Sequence, residues 1–253
     1  MAASTQTLAR VAVVTGGMGG LGTALCQHLE KSGLRVAATY SPDNDHAREW
    51  LAQQQKNGFE FKAFRLDVTD YASCQSATAQ IVNEMGAIDV LVNNAGITRD
   101  ASIRKMTPDH WRTVLCTDLD SIFNMTKQVV DSMMDRGWGR IINISSVNGQ
   151  KGAFGQANYA AAKAGIHGFT KSVALEVAKK GVTVNTVSPG YLRTRMVTNI
   201  PQEILNTRIL PEIPIGRLGE PDEVAALVSF LASSEAAFIT GANIAINGGQ
   251  HMC

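Results

Sequence analysis

Residues 15–22 read TGGMGGLG, and they stand between a short apolar run, Val11–Thr15, and an amphipathic segment, LGTALCQHLEKSG. A glycine pattern alone is weak. Between a first strand and a first helix it is what a dinucleotide site requires. Gly16 permits the tight turn, while Gly20 and Gly22 let a pyrophosphate and the sheet approach the backbone closely, with Met18 and Leu21 completing the loop. The start of the helix then offers free N–H groups to phosphates. A plain strand-to-helix turn needs fewer glycines.

Such a loop belongs in an alternating architecture, and the rest of the chain supplies one. Short apolar runs at Val11–Thr15, Leu34–Tyr40, Phe59–Arg65, Val90–Asn93, Arg140–Ile144, Val182–Ser188 and Ile244–Ile246 read as strands. Several are continuous in Val, Ile and Leu, as strands covered on both faces are. The intervening segments have helical period, the longest being Thr107–Met134 and Gly155–Lys180, with Thr107 as cap and Pro108 in the first turn of the former. The order predicts an α/β fold: one Rossmann-type, doubly wound parallel sheet of about seven strands with helices on both faces. No linker, repeat or low-complexity tract divides the 253 residues, so a single domain is expected. Residues 194–217 break the pattern with Pro201, Pro211 and Pro214. They read as a mobile lid over a site or as an irregular connection.

Composition narrows the setting. A net charge of +1 with no basic or acidic block gives no footprint for nucleic acid or an anionic membrane. No apolar stretch of about 18 residues is present, so no membrane span is expected. Cys26, Cys74, Cys116 and Cys253 are scattered, without metal-ligand spacing, and read as reduced thiols. The opening MAASTQTLAR does not resemble a secretion signal. A soluble, cytoplasmic protein with no metal site is the expectation.

The end of the second strand selects the dinucleotide. An acid there would bind the ribose 2′-OH of NAD. The sequence instead reads VAATYSPDNDHAR: Tyr40 and Ser41 come first, Asp43 and Asp45 later, and Arg48 follows. The hydroxyls with Arg48 suit a 2′-phosphate and favour NADP, although Met18 stands near the place where a basic residue would strengthen that reading.

T-G-x-x-x-G-x-G, NNAG at 93–96, Ser146, Tyr159-x-x-x-Lys163 and PG at 189–190 follow one another in that order. Together they resemble the short-chain dehydrogenase/reductase family over essentially the whole chain. GGMGGLGTALCQ, NNAGITRD, RGWGRIINISSVNGQKGAFGQANY and KGVTVNTVSPGY are similar to one branch of it, the acetoacetyl-CoA reductases of polyhydroxyalkanoate (polyhydroxybutyrate) biosynthesis. The 3-oxoacyl-(acyl-carrier-protein) reductases are a near neighbour.

The resemblance implies a ketone reductase. Tyr159 is the candidate proton donor, and a cation near it favours phenolate. Lys163, one helical turn on, shares its face and in the family also reaches the cofactor ribose. Ser146 would hydrogen-bond the substrate carbonyl. A plain helix-surface pair is the alternative for Tyr159 and Lys163. The family has asparagine where this chain has Asp118, in TDLDSIF. There its main-chain carbonyl helps hold a water linked to the lysine, a role that Asp can keep while adding a negative charge near Lys163.

Other contacts carry over from the family by position. Asp67 and Val68 would flank the adenine, and Asn94, Ala95 and Gly96 would line the ribose. Pro189, Gly190, Leu192 and Thr194 would hold the nicotinamide end. For Asn94 a plain turn role is the alternative. Phe154, Gln156 and Tyr191 are candidates for holding a short 3-oxoacyl group, with core packing the alternative for Phe154. Asp100, Arg99, Arg104 and Lys105 would lie near the site mouth, where a basic residue meets a CoA phosphate or is merely solvated. The expected reaction is NADPH-dependent reduction of acetoacetyl-CoA to (R)-3-hydroxybutyryl-CoA. The acyl-carrier-protein substrate and a non-catalytic nucleotide-binding regulator are the alternatives. The family further implies a homotetramer.

Overall fold

The structure is a computed structural model that describes residues 9–194 and 202–252. Seven strands form one sheet: β1 Val11–Val14, β2 Arg35–Tyr40, β3 Lys62–Arg65, β4 Ile88–Asn93, β5 Gly139–Ile144, β6 Val182–Pro189 and β7 Asn243–Ile246. Their order is β3-β2-β1-β4-β5-β6-β7, and every pairing is parallel. The expected doubly wound sheet is therefore present. Strand ends differ by a few residues. The third strand starts at Lys62 rather than Phe59, because Phe59 and Phe61 stack on each other at 5.5 Å, and Phe61 on Trp50 at 5.4 Å, instead of extending the ladder.

Helices cover both faces. On one side α1 (Gly20–Lys31), α2 (Ala47–Lys56) and α8 (Pro221–Leu231) pack Leu25, Leu29, Val224, Val228 and Leu231 against β1, β2 and β5. On the other side α3 (Tyr71–Met85), α5 (Ser121–Asp135) and α7 (Ala157–Val177) contribute Ile81, Met125, Val129 and Ala174. Burying apolar side chains on both faces is what makes the strand sequences continuous rather than alternating.

The expected helix over 107–134 is correct at its start. Thr107 accepts from the His110 N–H, and Pro108 occupies the first turn of α4 (Pro108–Leu115). Between α4 and α5, however, Cys116–Asp120 form a π-helical turn. No apolar period marks such a turn, and it matters because it carries Asp118. In the segment 194–217, residues 195–201 lie outside the described residues. From Gln202 onward it forms short helical turns, whose Ile209 and Ile213 bury with Leu218 beside Tyr191.

The strand order reverses between β1 and its neighbours β2 and β4. In an open parallel sheet the crevice at the strand C-terminal ends near that reversal is where ligands bind. A cleft of about 960 Å³ opens there.

Candidate active site

The glycine loop forms one end of the cleft. Gly16 has φ of +61°, a conformation that side chains resist. A Cβ on Gly22 would lie 2.2 Å from the Gly16 carbonyl oxygen and 2.8 Å from the Gly17 Cα, so α1 packs on the loop with no room for a methyl. Gly19 caps α1 without a side-chain acceptor, which leaves first-turn N–H groups for an anion. The Asn94 amide donates to the carbonyls of Thr15 at 2.9 Å and Gly16 at 3.2 Å, and Thr15 Oγ1 accepts from the N–H of Asn94 and of Ala95. Asn94 thus holds the end of β4 to the loop; it does not satisfy its own turn. A cradle that a single Cβ would fill fits a dinucleotide pyrophosphate. We expect Gly22→Ala to raise the dinucleotide Kd about ten-fold or more in a fluorescence titration, since backbone must move to admit the methyl. Wild-type binding in that variant would refute this account of the loop.

Most residues expected at a cofactor line this cleft: Gly16, Met18, Gly20, Leu21, Gly22, Tyr40, Ser41, Asp67, Val68, Asn94, Ala95, Gly96, Tyr159, Lys163, Pro189, Gly190, Leu192 and Thr194. Arg48 does not. It is exposed on α2, which begins only after residues 41–46 have left the strand end, and it is absent from the cleft lining.

The chemistry-bearing side chains sit at the other end. Ser146 caps a short helix, α6 (Val147–Lys151), its Oγ accepting from the Asn148 N–H at 3.1 Å, and it hydrogen-bonds the Tyr159 phenol. Lys163 is buried, with Nζ donating to the Ile144 carbonyl at 3.1 Å and lying 5.5 Å from the centre of the Tyr159 ring. Asp118 is fully buried, Oδ1 accepting from the Ile97 N–H at 2.9 Å and Oδ2 3.2 Å from Lys163 Nζ. The charge is therefore turned inward onto the lysine. Gly96 makes room for the pair: a Cβ there would lie 2.8 Å from Asp118 Oδ2 and 3.2 Å from Lys163 Nζ.

Burial raises the Tyr159 phenol above its ordinary value against the pull of Lys163; Asp118 adds to the rise and the bond from Ser146 opposes it. The expectation that the lysine lowers the phenol holds for Lys163 taken singly and is outweighed by the surroundings. Burial raises the Asp118 carboxyl too, although Lys163 and the Ile97 N–H favour its charge. For Lys163, burial works against the ammonium, but the charges of Asp118 and Tyr159 prevail and hold it above the usual lysine range.

At the substrate end, Gln156 donates to Asp100 at 2.9 Å and accepts from Asn148 at 2.9 Å, and Asp100, Asn148, Gln156 and Tyr191 all line the cleft. Asn148 was not apparent from sequence; its turn-like context, VNG, gave no sign that it would link the serine loop to Gln156. Phe154 is 98% exposed and outside the cleft lining, so it neither walls the cleft nor packs in the core. Gly155 after it has φ of +80° and bonds its carbonyl to the Ala101 N–H, which turns the chain so that Gln156 rather than Phe154 enters. Lys105 is likewise exposed and absent from the lining. Among the described residues no cluster of metal-ligating side chains occurs, and no helix is long and apolar enough to cross a membrane.

A parallel-sheet dinucleotide fold with a serine, tyrosine and lysine converging at the cleft defines a class of dehydrogenase. The chain belongs to the short chain dehydrogenase family, whose pattern matches residues 10–205. It is an oxidoreductase acting on CH–OH groups with a nicotinamide dinucleotide. It is similar to an acetoacetyl-CoA reductase of Cupriavidus necator, 56% identical over 96% of this chain and 98% of the relative. An acetoacetyl-CoA reductase of Shinella zoogloeoides is 53% identical over 96% and 99%. A 3-oxoacyl-(acyl-carrier-protein) reductase of Vibrio cholerae is 46% identical over 96% and 98%.

Proposed function

We propose that the protein reduces a short 3-oxoacyl thioester with NADPH, acetoacetyl-CoA becoming (R)-3-hydroxybutyryl-CoA. The observation that carries this is the meeting of Ser146, Tyr159 and buried Lys163 on one wall of a cleft whose far end is the glycine loop. NADPH, when bound, supplies the hydride. Ser146 holds the carbonyl oxygen and Tyr159 gives it a proton. Lys163 steadies the negative charge left on the phenol, and Asp118 positions Lys163. The glycine loop would hold the dinucleotide's pyrophosphate, Asp67 and Val68 its adenine, Asn94, Ala95 and Gly96 its ribose, and Pro189, Gly190, Leu192 and Thr194 its nicotinamide end, all of them residues that line the cleft. Asp100, Gln156 and Tyr191 meet the acyl group.

Relatives named acetoacetyl-CoA reductase at 56% and 53% identity favour the CoA ester. The relative named for an acyl-carrier-protein substrate, at 46%, supports the second reading. Steady-state assays with NADPH and NADH, each against acetoacetyl-CoA and acetoacetyl-(acyl-carrier-protein), separate them. We expect the highest kcat/KM with NADPH and the CoA ester. A higher value with the carrier protein would overturn the substrate, and no turnover with either would favour a nucleotide-binding regulator.

The segment around 194–217 acts in this reading as a lid over the acyl site. Lys151, just beyond the serine loop, pairs with Glu212 of that segment at 2.9 Å, which supports a reversible tether. A cytoplasmic homotetramer completes the proposal. The stacked, partly exposed Tyr71 and Phe123 of α3 and α5, and Leu175 exposed on α7, support subunit contact through the long helices.

A further inference from the structure

Arg65 ends β3 directly beside Tyr40 of β2. Its neighbours Phe64 and Leu66 are buried in the layer of α3 and α5. Alternation along the strand sends Arg65 to the opposite face, the side of the β2–α2 loop. There its Nη2 donates to the Pro42 carbonyl at 3.3 Å, and the side chain is otherwise exposed. Pro42 follows Ser41, and Ser41 and Asn44 line the cleft next to Tyr40. The loop is a tight turn, with the Asn44 N–H donating to the Ser41 carbonyl at 2.9 Å and the Asp43 N–H to Ser41 Oγ at 3.2 Å. The end of β2 is where a dinucleotide's adenosine ribose is read.

Charge makes this arginine decisive. The loop itself carries Asp43 and Asp45, whose carboxylates oppose a phosphate. His46 lies between Asp45 and Glu49, at 3.2 and 3.3 Å. Met18 is neutral, and neither Arg48 nor Arg65 is among the side chains lining the cleft; what separates them is that Arg65 is bonded to the Pro42 carbonyl of the loop whose Ser41 and Asn44 do line it. Among the described residues, the Lys or Arg lining the cleft is Lys163, already paired with Asp118 at the other end. Arg65 has one N–H on the loop and the rest of its fork free for an anion.

We propose that Arg65 is the specificity-determining residue that binds the 2′-phosphate of NADPH beside Ser41, taking the part that sequence spacing assigned to Arg48. This rests on the NADPH reading given above. NADPH and NADH are titrated by fluorescence against the wild type, Arg65→Gln and Arg48→Gln. Charge-assisted bonds of this kind predict a rise of about ten-fold or more in the NADPH Kd of Arg65→Gln. NADH should bind that variant as it binds the wild type, which also shows that the fold is intact. A wild type that prefers NADPH, with Arg65→Gln keeping that preference, overturns the role of Arg65 and leaves the cofactor reading standing. The same follows if the loss appears in Arg48→Gln instead. Equal weakening of both dinucleotides in Arg65→Gln makes the residue structural and overturns the proposal. A wild type that binds both equally overturns the cofactor reading and the proposal with it.

Discussion

Replacing Tyr159 by Phe is expected to lower kcat for ketone reduction by about a thousand-fold or more while leaving the dinucleotide Kd within about two-fold of wild type. The two readouts separate because the substitution removes one atom and keeps the ring. Phe retains the packing of a half-buried aromatic on α7. Lys163 keeps its bond to the Ile144 carbonyl and its place beside Asp118, neither of which involves the phenol. The glycine loop lies at the far end of the cleft and is held by Thr15 and Asn94. What disappears is the proton that the new alkoxide must receive and the hydroxyl that Ser146 contacts. Stopped-flow or steady-state reduction measures the first effect and cofactor fluorescence the second. Activity near wild type would remove Tyr159 from the mechanism; parallel loss of binding would make it a structural residue.

The direction of the Tyr159 shift adds a sign. Reduction uses the protonated phenol, and the phenol is held above its ordinary value. Reduction therefore persists through neutral pH and fails only as pH rises past that elevated value. The reverse oxidation needs phenolate and gains over the same interval.

Much of this site was legible because its signals are local. The glycines of the first loop, the Tyr159-x-x-x-Lys163 spacing and the Val/Ile/Leu runs each carry their geometry within a few residues. The sequence also placed Asp118 near Lys163, through resemblance. What it did not carry depends on where turns send side chains. Arg48 follows the end of β2 in sequence but is exposed on α2, whereas the equally exposed Arg65 comes from β3, 24 positions beyond Ser41, and bonds the loop after β2 through strand pairing. Phe154 is apolar and lies between Ser146 and Tyr159, yet the positive φ of Gly155 delivers Gln156 to the cleft instead. The π-helical turn at Cys116–Asp120 is equally silent in an apolar pattern, because α4 and α5 on either side keep ordinary helical period.

That turn leads to the second large effect. Asp118→Ala is expected to destabilise the protein by about 3 kcal/mol and to cut kcat by about ten-fold or more, because it strands a buried ammonium without its counter-charge. It also leaves the Ile97 N–H without its acceptor. Thermal melting and steady-state kinetics measure the two losses; a variant as stable as wild type would show that the pair contributes nothing to holding Lys163. Asp118→Asn is gentler and more informative. It keeps an oxygen for the Ile97 N–H but removes the negative charge 3.2 Å from Lys163 Nζ. That charge raises both Tyr159 and Lys163, so its removal lets both fall. Phenolate and neutral lysine then form at lower pH, and the alkaline limb of reduction should move toward acid. The oxidation limb should move the same way, with turnover at neutral pH little changed. A profile that superimposes on wild type would place the Asp118 charge outside the proton chemistry. Turnover raised sharply at every pH would mean that the carboxylate hinders the reaction instead of positioning its lysine.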